Sequence, residues 1–201
     1  MKTLTFCFSL IGLVLLIFVE KSFSEIKLLE VDNSKWTKKY DDYFKKYSKR
    51  FFSVGFDYRW FKSQAIAESK LKADAKSWVG AKGLMQIMPK TFEDIKKRNP
   101  SFRHVFEPRW NIAAGIFYDR KMYNFWKEER PFLDKIGFAF ASYNAGARNI
   151  LKGQKRCKEE KKNNCNRWSY VKLYGSKVKT WRHKETIHYI KEIFKLMDRP
   201  I

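Results

Sequence analysis

Apolar positions recur at helical spacing along most of the chain, and no stretch shows the sustained apolar–polar alternation that marks a strand. Trp36, Tyr40, Tyr43, Phe44 and Tyr47 fall at i, i+4, i+7, i+8 and i+11 and predict one face of a first helix. Trp60, Phe61, Ala65 and Ile66 predict a second, with Asp57 an acceptable N-cap. A third is expected from Pro89 or Thr91 to Arg98. A fourth is expected from Arg109 to Trp126, with Ile112, Ile116, Phe117 and Met122 turned inward. Pro131 can open a fifth that carries Ile136, Phe138, Ala139 and Phe140 toward Tyr143. The last, from Lys184 to Met197, places Ile187, Ile190, Phe194 and Met197 along one stripe. Between Lys152 and Lys184 the pattern is least regular, and loops with one short helix are expected. The fold class is therefore all-α, and 201 residues fit one compact domain.

The first residues follow another rule. Lys2 precedes an apolar run from Leu4 to Val19, and Ser22-Phe23-Ser24 then offers small residues where a signal peptidase reads. Residues 1–24 are expected to be a cleaved signal peptide. The alternative is a retained anchor, since a run of 16 residues sits just under spanning length. No cysteine lies near the cleavage site to carry a lipid, and Cys7 would leave with the apolar run. Residues 25–56 form an aromatic N-terminal extension, and residues 57–201 the main domain.

Export changes the reading of Cys157 and Cys165, which have seven residues between them in a charged stretch. In an oxidising compartment such a pair is expected to close a short disulfide loop, two free thiols being the alternative. The three histidines, His104, His183 and His188, match no metal-ligand spacing, and neither a metal nor a cofactor is expected.

The formal net charge is +22; removing Lys2, Lys21 and Glu20 with the signal segment takes away one unit and leaves +21. Such a charge suits a polyanionic neighbourhood. For an exported chain the anionic cell envelope fits better than nucleic acid, for which no basic–aromatic motif is present. The competing reading is a compositional bias toward solvated lysines, because the basic residues are spread along the chain.

One carboxylate stands out. A carboxylic acid can deliver a proton to a poor leaving-group oxygen near neutral pH only where an apolar setting raises its pKa. Glu68 shares its helical face with Phe61, Gln64, Ala65 and Leu71, an apolar neighbourhood in a chain with 32% charged residues. The plainer alternative is a surface glutamate paired with Lys72 one turn on. Downstream, Ser77 to Met88 contains Gly80 and Gly83, which let a ligand approach the main chain, and Gln86, whose amide suits a sugar. Tyr143-Asn144-Ala145-Gly146 sets a phenol and an amide beside a glycine able to end a helix.

In order along the chain, Glu68-Ser69, Gly83-Leu84-Met85-Gln86 with Met88-Pro89 and Thr91, Asn111-Ile112-Ala113-Ala114-Gly115, Tyr143-Asn144-Ala145-Gly146, and Glu185-Thr186 with Tyr189 resemble one pattern. It is that of the catalytic domain of the soluble lytic transglycosylases, which is similar to goose-type lysozyme. The resemblance runs from Ala65 to about Lys195 and implies a single lysozyme-like helical domain behind the signal peptide. It implies that Glu68 is the catalytic acid, with Ser69 its structural partner. Ser77, Gln86 and Met88 would line the cleft, Tyr143 would orient the glutamate, Asn144 would shape its turn, and Glu185 and Tyr189 would form the far wall.

The resemblance further implies a peptidoglycan glycan strand as substrate, cut by one carboxyl group acting as acid and then as base, with 1,6-anhydromuramic acid as product. It implies a periplasmic or envelope-associated enzyme serving wall remodelling, assembly of an envelope-spanning machine, or lysis. The chain departs from the family's pattern at Ala147-Arg148 and His183-Lys184, where prolines are common, and in the cysteine-bearing insertion from Lys155 to Arg167. Two rivals stay open: a hydrolysing lysozyme that uses Asp74 as base, and a basic wall-binding protein that no longer cuts.

Overall fold

A computed structural model of the protein describes residues 28–160 and 163–200, so the expected signal peptide lies outside the described residues. Eight α-helices occur among them: α1 (Asp41–Phe51), α2 (Arg59–Ser69), α3 (Pro89–Arg98), α4 (Pro108–Phe125), α5 (Phe132–Ala145), α6 (Ala147–Glu159), α7 (Trp168–Val171) and α8 (His183–Leu196). Short 3-10 turns cover Glu30–Asp32 and Lys172–Lys177. The described residues hold no strand, only isolated bridges that pair Lys76 with Lys82 and Lys82 with Ile87. The all-α expectation holds. No described helix is long and apolar enough to cross a membrane.

The helix starts follow local chemistry. The Asp57 carboxylate accepts the Arg59 N–H at 3.0 Å, satisfying a donor that α2 itself leaves open. Pro89 and Pro108 each stand at the first position of their helix, where a missing N–H costs nothing. Gly146 ends α5 with φ +82°, and its N–H returns to the Ser142 carbonyl.

Helix α2 is the central element. It packs on α8 and α1, while α4 and α5 lie along each other, α1 covers α4, and α5 packs on α6 and α8. Trp60 and Phe61 of α2 are buried against Phe140 of α5 and Phe194 of α8. Helix α2 is enclosed nearly all round, so it buries polar groups as well. Lys62 is 1% exposed and its ammonium pairs with Asp41 at 2.8 Å, tying α2 to the first turn of α1. The expected N-terminal extension thus contributes α1, whose Phe44 and Tyr47 share the core of the remaining helices.

The stretch from Lys152 to Lys184 is more ordered than its pattern suggested. Helix α6 runs through Glu159 and buries Ile150, Gly153, Gln154 and Cys157 on one stripe. That stripe was obscured because its positions carry a glycine, a glutamine and a cysteine instead of large apolar residues. Cys157 and Cys165 are joined, with a Cα separation of 5.8 Å, and together with Tyr174 form a small satellite core.

Candidate active site

Glu68 stands in the last turn of α2, and the chain turns sharply just beyond it. Lys70 and Leu71 take left-handed conformations, φ +55° and +60°, a strained pair for residues with side chains. Burial of Leu71 holds the turn. The chain is thereby sent into the loop of residues 72–88, which folds back on α2: the Ser69 hydroxyl donates to the Leu84 carbonyl at 2.8 Å.

Helix α4 clamps that loop. Asn111 of α4 donates to the carbonyls of Lys82 and Val105 and accepts the Met85 N–H. Gly83, with φ +76°, fits against the Asn111 amide, where a Cβ would come within 2.4 Å of its nitrogen. Gly115, one turn along α4, leaves room for the Met85 side chain in the same way. From the other side the Tyr143 hydroxyl of α5 donates to the Met85 carbonyl at 2.6 Å.

Glu68 keeps partial solvent contact as a residue, but its carboxyl is desolvated by burial. Burial pushes its pKa up to about 8; the nearby Tyr189 hydroxyl lowers it, and the Glu185 charge raises it. The Tyr189 hydroxyl is itself sealed from solvent and closes no hydrogen bond of full geometry, although it lies near enough to Glu68 to be felt. Burial and the adjacent Glu68 charge hold the phenols of Tyr143 and Tyr189 well above their ordinary range. Glu68 is therefore protonated at neutral pH and flanked by two phenols that stay neutral. Such a group can act as a general acid.

The remaining sequence-predicted residues divide into two sets. Tyr143, Tyr189 and Glu185 are brought to Glu68, Glu185 being exposed and paired with Arg182 at 2.6 Å. Asn144 takes a scaffold role: its side-chain oxygen accepts the Thr186 hydroxyl at 2.8 Å and so joins α5 to α8, which carries Glu185 and Tyr189. Ser77, Gln86 and Met88 instead lie on the loop beside α2. The Ser77 hydroxyl accepts the Ala81 N–H at 3.0 Å. The Gln86 amide nitrogen is committed to the carbonyls of Ala75 and Gly83, at 3.2 and 2.9 Å, and shapes the loop itself. Met88 is 42% exposed. Asp74 sits in solvent on the same loop.

One acidic residue beside the site escaped the sequence reading. Asp119 of α4 is 1% exposed and accepts a 3.1 Å hydrogen bond from Gln64, which is one turn before Glu68 on α2. Burial pushes its pKa well above the ordinary carboxylate range; the Gln64 bond lowers it and the Glu68 charge raises it. A signal was present, because Asp119 falls on the stripe of Ile112, Ile116 and Met122, where an apolar residue belongs. Tyr118 was missed as well; its ring packs edge-on against that of Tyr143 with centroids 5.3 Å apart. No group of three or more His, Cys, Asp or Glu among the described residues could hold a metal ion.

A family model described as "Transglycosylase SLT domain" matches residues 43–166. A membrane-bound lytic murein transglycosylase F of Vibrio vulnificus is 28% identical over 135 residues, covering 67% of this chain and 23% of the relative. Its namesake in Shewanella halifaxensis is 27% identical over 193 residues, covering 89% of this chain and 39% of the relative. The chain thus spans well under half the length of these relatives. Among solved structures, the 70 kDa soluble lytic transglycosylase of Escherichia coli superposes with a TM-score of 0.57 at 24% identity, covering 80% of this chain and 24% of the other. At that identity the likeness shows the fold.

Proposed function

The chain belongs to the transglycosylase SLT domain family, and from that premise we propose that it cuts peptidoglycan glycan strands without water, using Glu68 as its one catalytic carboxyl group. The observation that carries this reading is the state of Glu68: a carboxylic acid held protonated at neutral pH, with a pKa of about 8, between Tyr143 and Tyr189. Glu68 donates its proton to the oxygen that bridges N-acetylmuramic acid and N-acetylglucosamine, and that bond breaks. The acetamido group of the muramic residue stabilises the electron-poor anomeric carbon. Glu68, now a carboxylate, takes the proton of the same sugar's C6 hydroxyl, whose oxygen closes on the anomeric carbon. The acid is regenerated and a 1,6-anhydro ring is formed.

An ordinary glycosidase needs a second carboxylate as base or nucleophile. The other carboxyl groups around Glu68 do not suit that work. Asp119 is buried with its pKa pushed well above the ordinary carboxylate range, Glu185 is paired with Arg182, and Asp74 faces solvent. The names of the relatives, murein transglycosylases, support the same substrate class, and an exported, envelope-associated location follows from it.

The test is mass spectrometry of the muropeptides released from purified sacculi. Anhydro ends, about 18 Da lighter than hydrolysed ends because one water is missing, are expected. Reducing-end muramic acid as the main product overturns the proposal in favour of a hydrolysing lysozyme.

A further inference from the structure

The sequence holds seven tryptophans. Five of them, Trp60, Trp110, Trp126, Trp168 and Trp181, are buried, and Trp36 is packed against the core. Trp78 is 88% exposed. An indole left in water forgoes the burial of a large apolar face, of the order of 150–250 Å² for an aromatic side chain.

Its setting is rigid, so the exposure is not that of a loose loop. The Ser77 N–H donates to Ala81 O at 2.9 Å, and the Gly80 N–H donates to Ser77 O at 2.9 Å. The Ser77 hydroxyl accepts the Ala81 N–H, and the Gly83 N–H donates to Ala75 O at 2.8 Å. Gly80 adopts φ +88°, which closes the turn. The base of the loop is anchored by Leu84 and Met85, both fully buried, and by the Ser69 bond one residue after Glu68. Trp78 and Val79, the latter 48% exposed, occupy the two corner positions of a turn that is fixed relative to the acid.

We propose that Trp78 is a sugar-stacking residue on the anchored loop that follows the Glu68 helix, where its indole face receives the apolar C–H face of a pyranose ring away from the bond that is cut. The proposal rests on the function assigned above. A pyranose presents a flat apolar face with hydroxyls at its edge, and an indole presents a matching face with one N–H donor at its edge. One tryptophan and one valine on a tight turn make too small an apolar face for a membrane, which asks for an extended apolar surface.

The experiment measures binding of an N-acetylglucosamine hexamer by calorimetry to the Glu68→Gln protein, with and without Trp78→Ala and Trp78→Phe. In parallel, steady-state cleavage of glycan strands by wild-type chain and Trp78→Ala is followed. Because Trp78 is exposed, both variants are expected to keep the melting temperature. Trp78→Ala is expected to weaken hexamer binding about tenfold and to raise KM by a similar factor with kcat retained, and Trp78→Phe is expected to recover most of the loss. Binding and KM that stay within about twofold overturn the proposal, as does a Trp78→Ala defect confined to anionic phospholipid vesicles. Hydrolysed ends from the wild type, alongside a Trp78-dependent hexamer affinity, overturn the transglycosylase reading alone and leave the stacking role standing.

Discussion

Asn111 and Met85 are joined across 26 positions of sequence by a 2.7 Å hydrogen bond from the Met85 N–H to the Asn111 side-chain oxygen, and the Met85 carbonyl in turn accepts the Tyr143 hydroxyl. One amide on α4 thereby fixes the loop that carries Ser77, Gln86 and Met88, and Gly83 exists in its present form because the Asn111 amide occupies the space of a Cβ. Gly83→Ala is expected to destabilise the fold by about 2–4 kcal/mol, from a strained φ and a clash with the hydrogen-bonded Asn111 amide. Asn111→Ala should cost a similar amount, roughly 2–4 kcal/mol, by leaving buried backbone groups unpaired. Urea unfolding followed by circular dichroism measures both, and a loss under 1 kcal/mol, about the cost of an ordinary surface change, would show that the clamp is dispensable.

Loss of the acid has two signatures of opposite kind. Glu68→Gln is expected to lower turnover about a hundredfold or more while the chain still folds. Burial raises the folded-state pKa above the unfolded one, so the folded chain binds the extra proton between about 4.5 and about 8. Stability from this group is therefore full below pH 4.5 and is lost as pH rises through 8. At about pH 9 the Gln variant should be the more stable protein by roughly 2–4 kcal/mol, while at about pH 5 the difference should largely vanish. Equal stabilities at both pH values would contradict the desolvated carboxyl. In the wild type the same proton sets the alkaline limit, and kcat/KM should fall as pH passes 8.

Asp119 responds to the acid and does not set its limit. Burial and the Glu68 charge raise the pKa of Asp119, whereas Glu68 owes its own rise to burial and Glu185, and Asn keeps an acceptor for the Gln64 bond. Asp119→Asn should leave the alkaline limb of the pH–rate profile in place with little change in the optimum rate. A limb that moves to lower pH would show that Asp119 carries a charge that Glu68 feels.

The bridge between Cys157 and Cys165 closes a short loop, so its contribution is bounded. Replacing both cysteines with serine is expected to cost about 2–3 kcal/mol of stability in chemical denaturation, with the Glu68 site unaffected because the bridge lies on α6 and the segment after it. Two titratable thiols in the chain purified without reductant would refute the bridge.

Charge should govern attachment more than chemistry. Raising salt from 0.1 to 1 M shortens the screening length from about 10 to about 3 Å, and binding of Glu68→Gln protein to sacculi should weaken accordingly. Cleavage of a short uncharged glycan oligomer by the wild type should change far less. A flat sacculus titration would reduce the net charge of +22 to a compositional trait.

Most of the helices, their order and the buried face that carries Glu68 were legible in the chain, because an amphipathic helix records its buried face every three or four residues. Glu68 was legible because that face is otherwise apolar, and the Tyr143-to-Gly146 turn because only a glycine takes φ +82° at low cost. Polar residues that enter the core as partners can at most show their position on a stripe, never the partner that admits them. Lys62 reads as a solvent-facing lysine until Asp41 arrives from α1, and Asp119 reads as an acid out of place on an apolar stripe until Gln64 meets it inside. The left-handed turn at Lys70 and Leu71 carries no glycine to announce it. Gln86 and Asn144 carry chemistry that suits a ligand, yet the fold uses the Gln86 amide nitrogen on its own loop and the Asn144 oxygen on Thr186. Hydrophobic periodicity is a property of one helix and is written locally. The choice of which polar atom meets which is made only when separate helices pack, since each buried donor or acceptor must then find a partner wherever the tertiary structure places one.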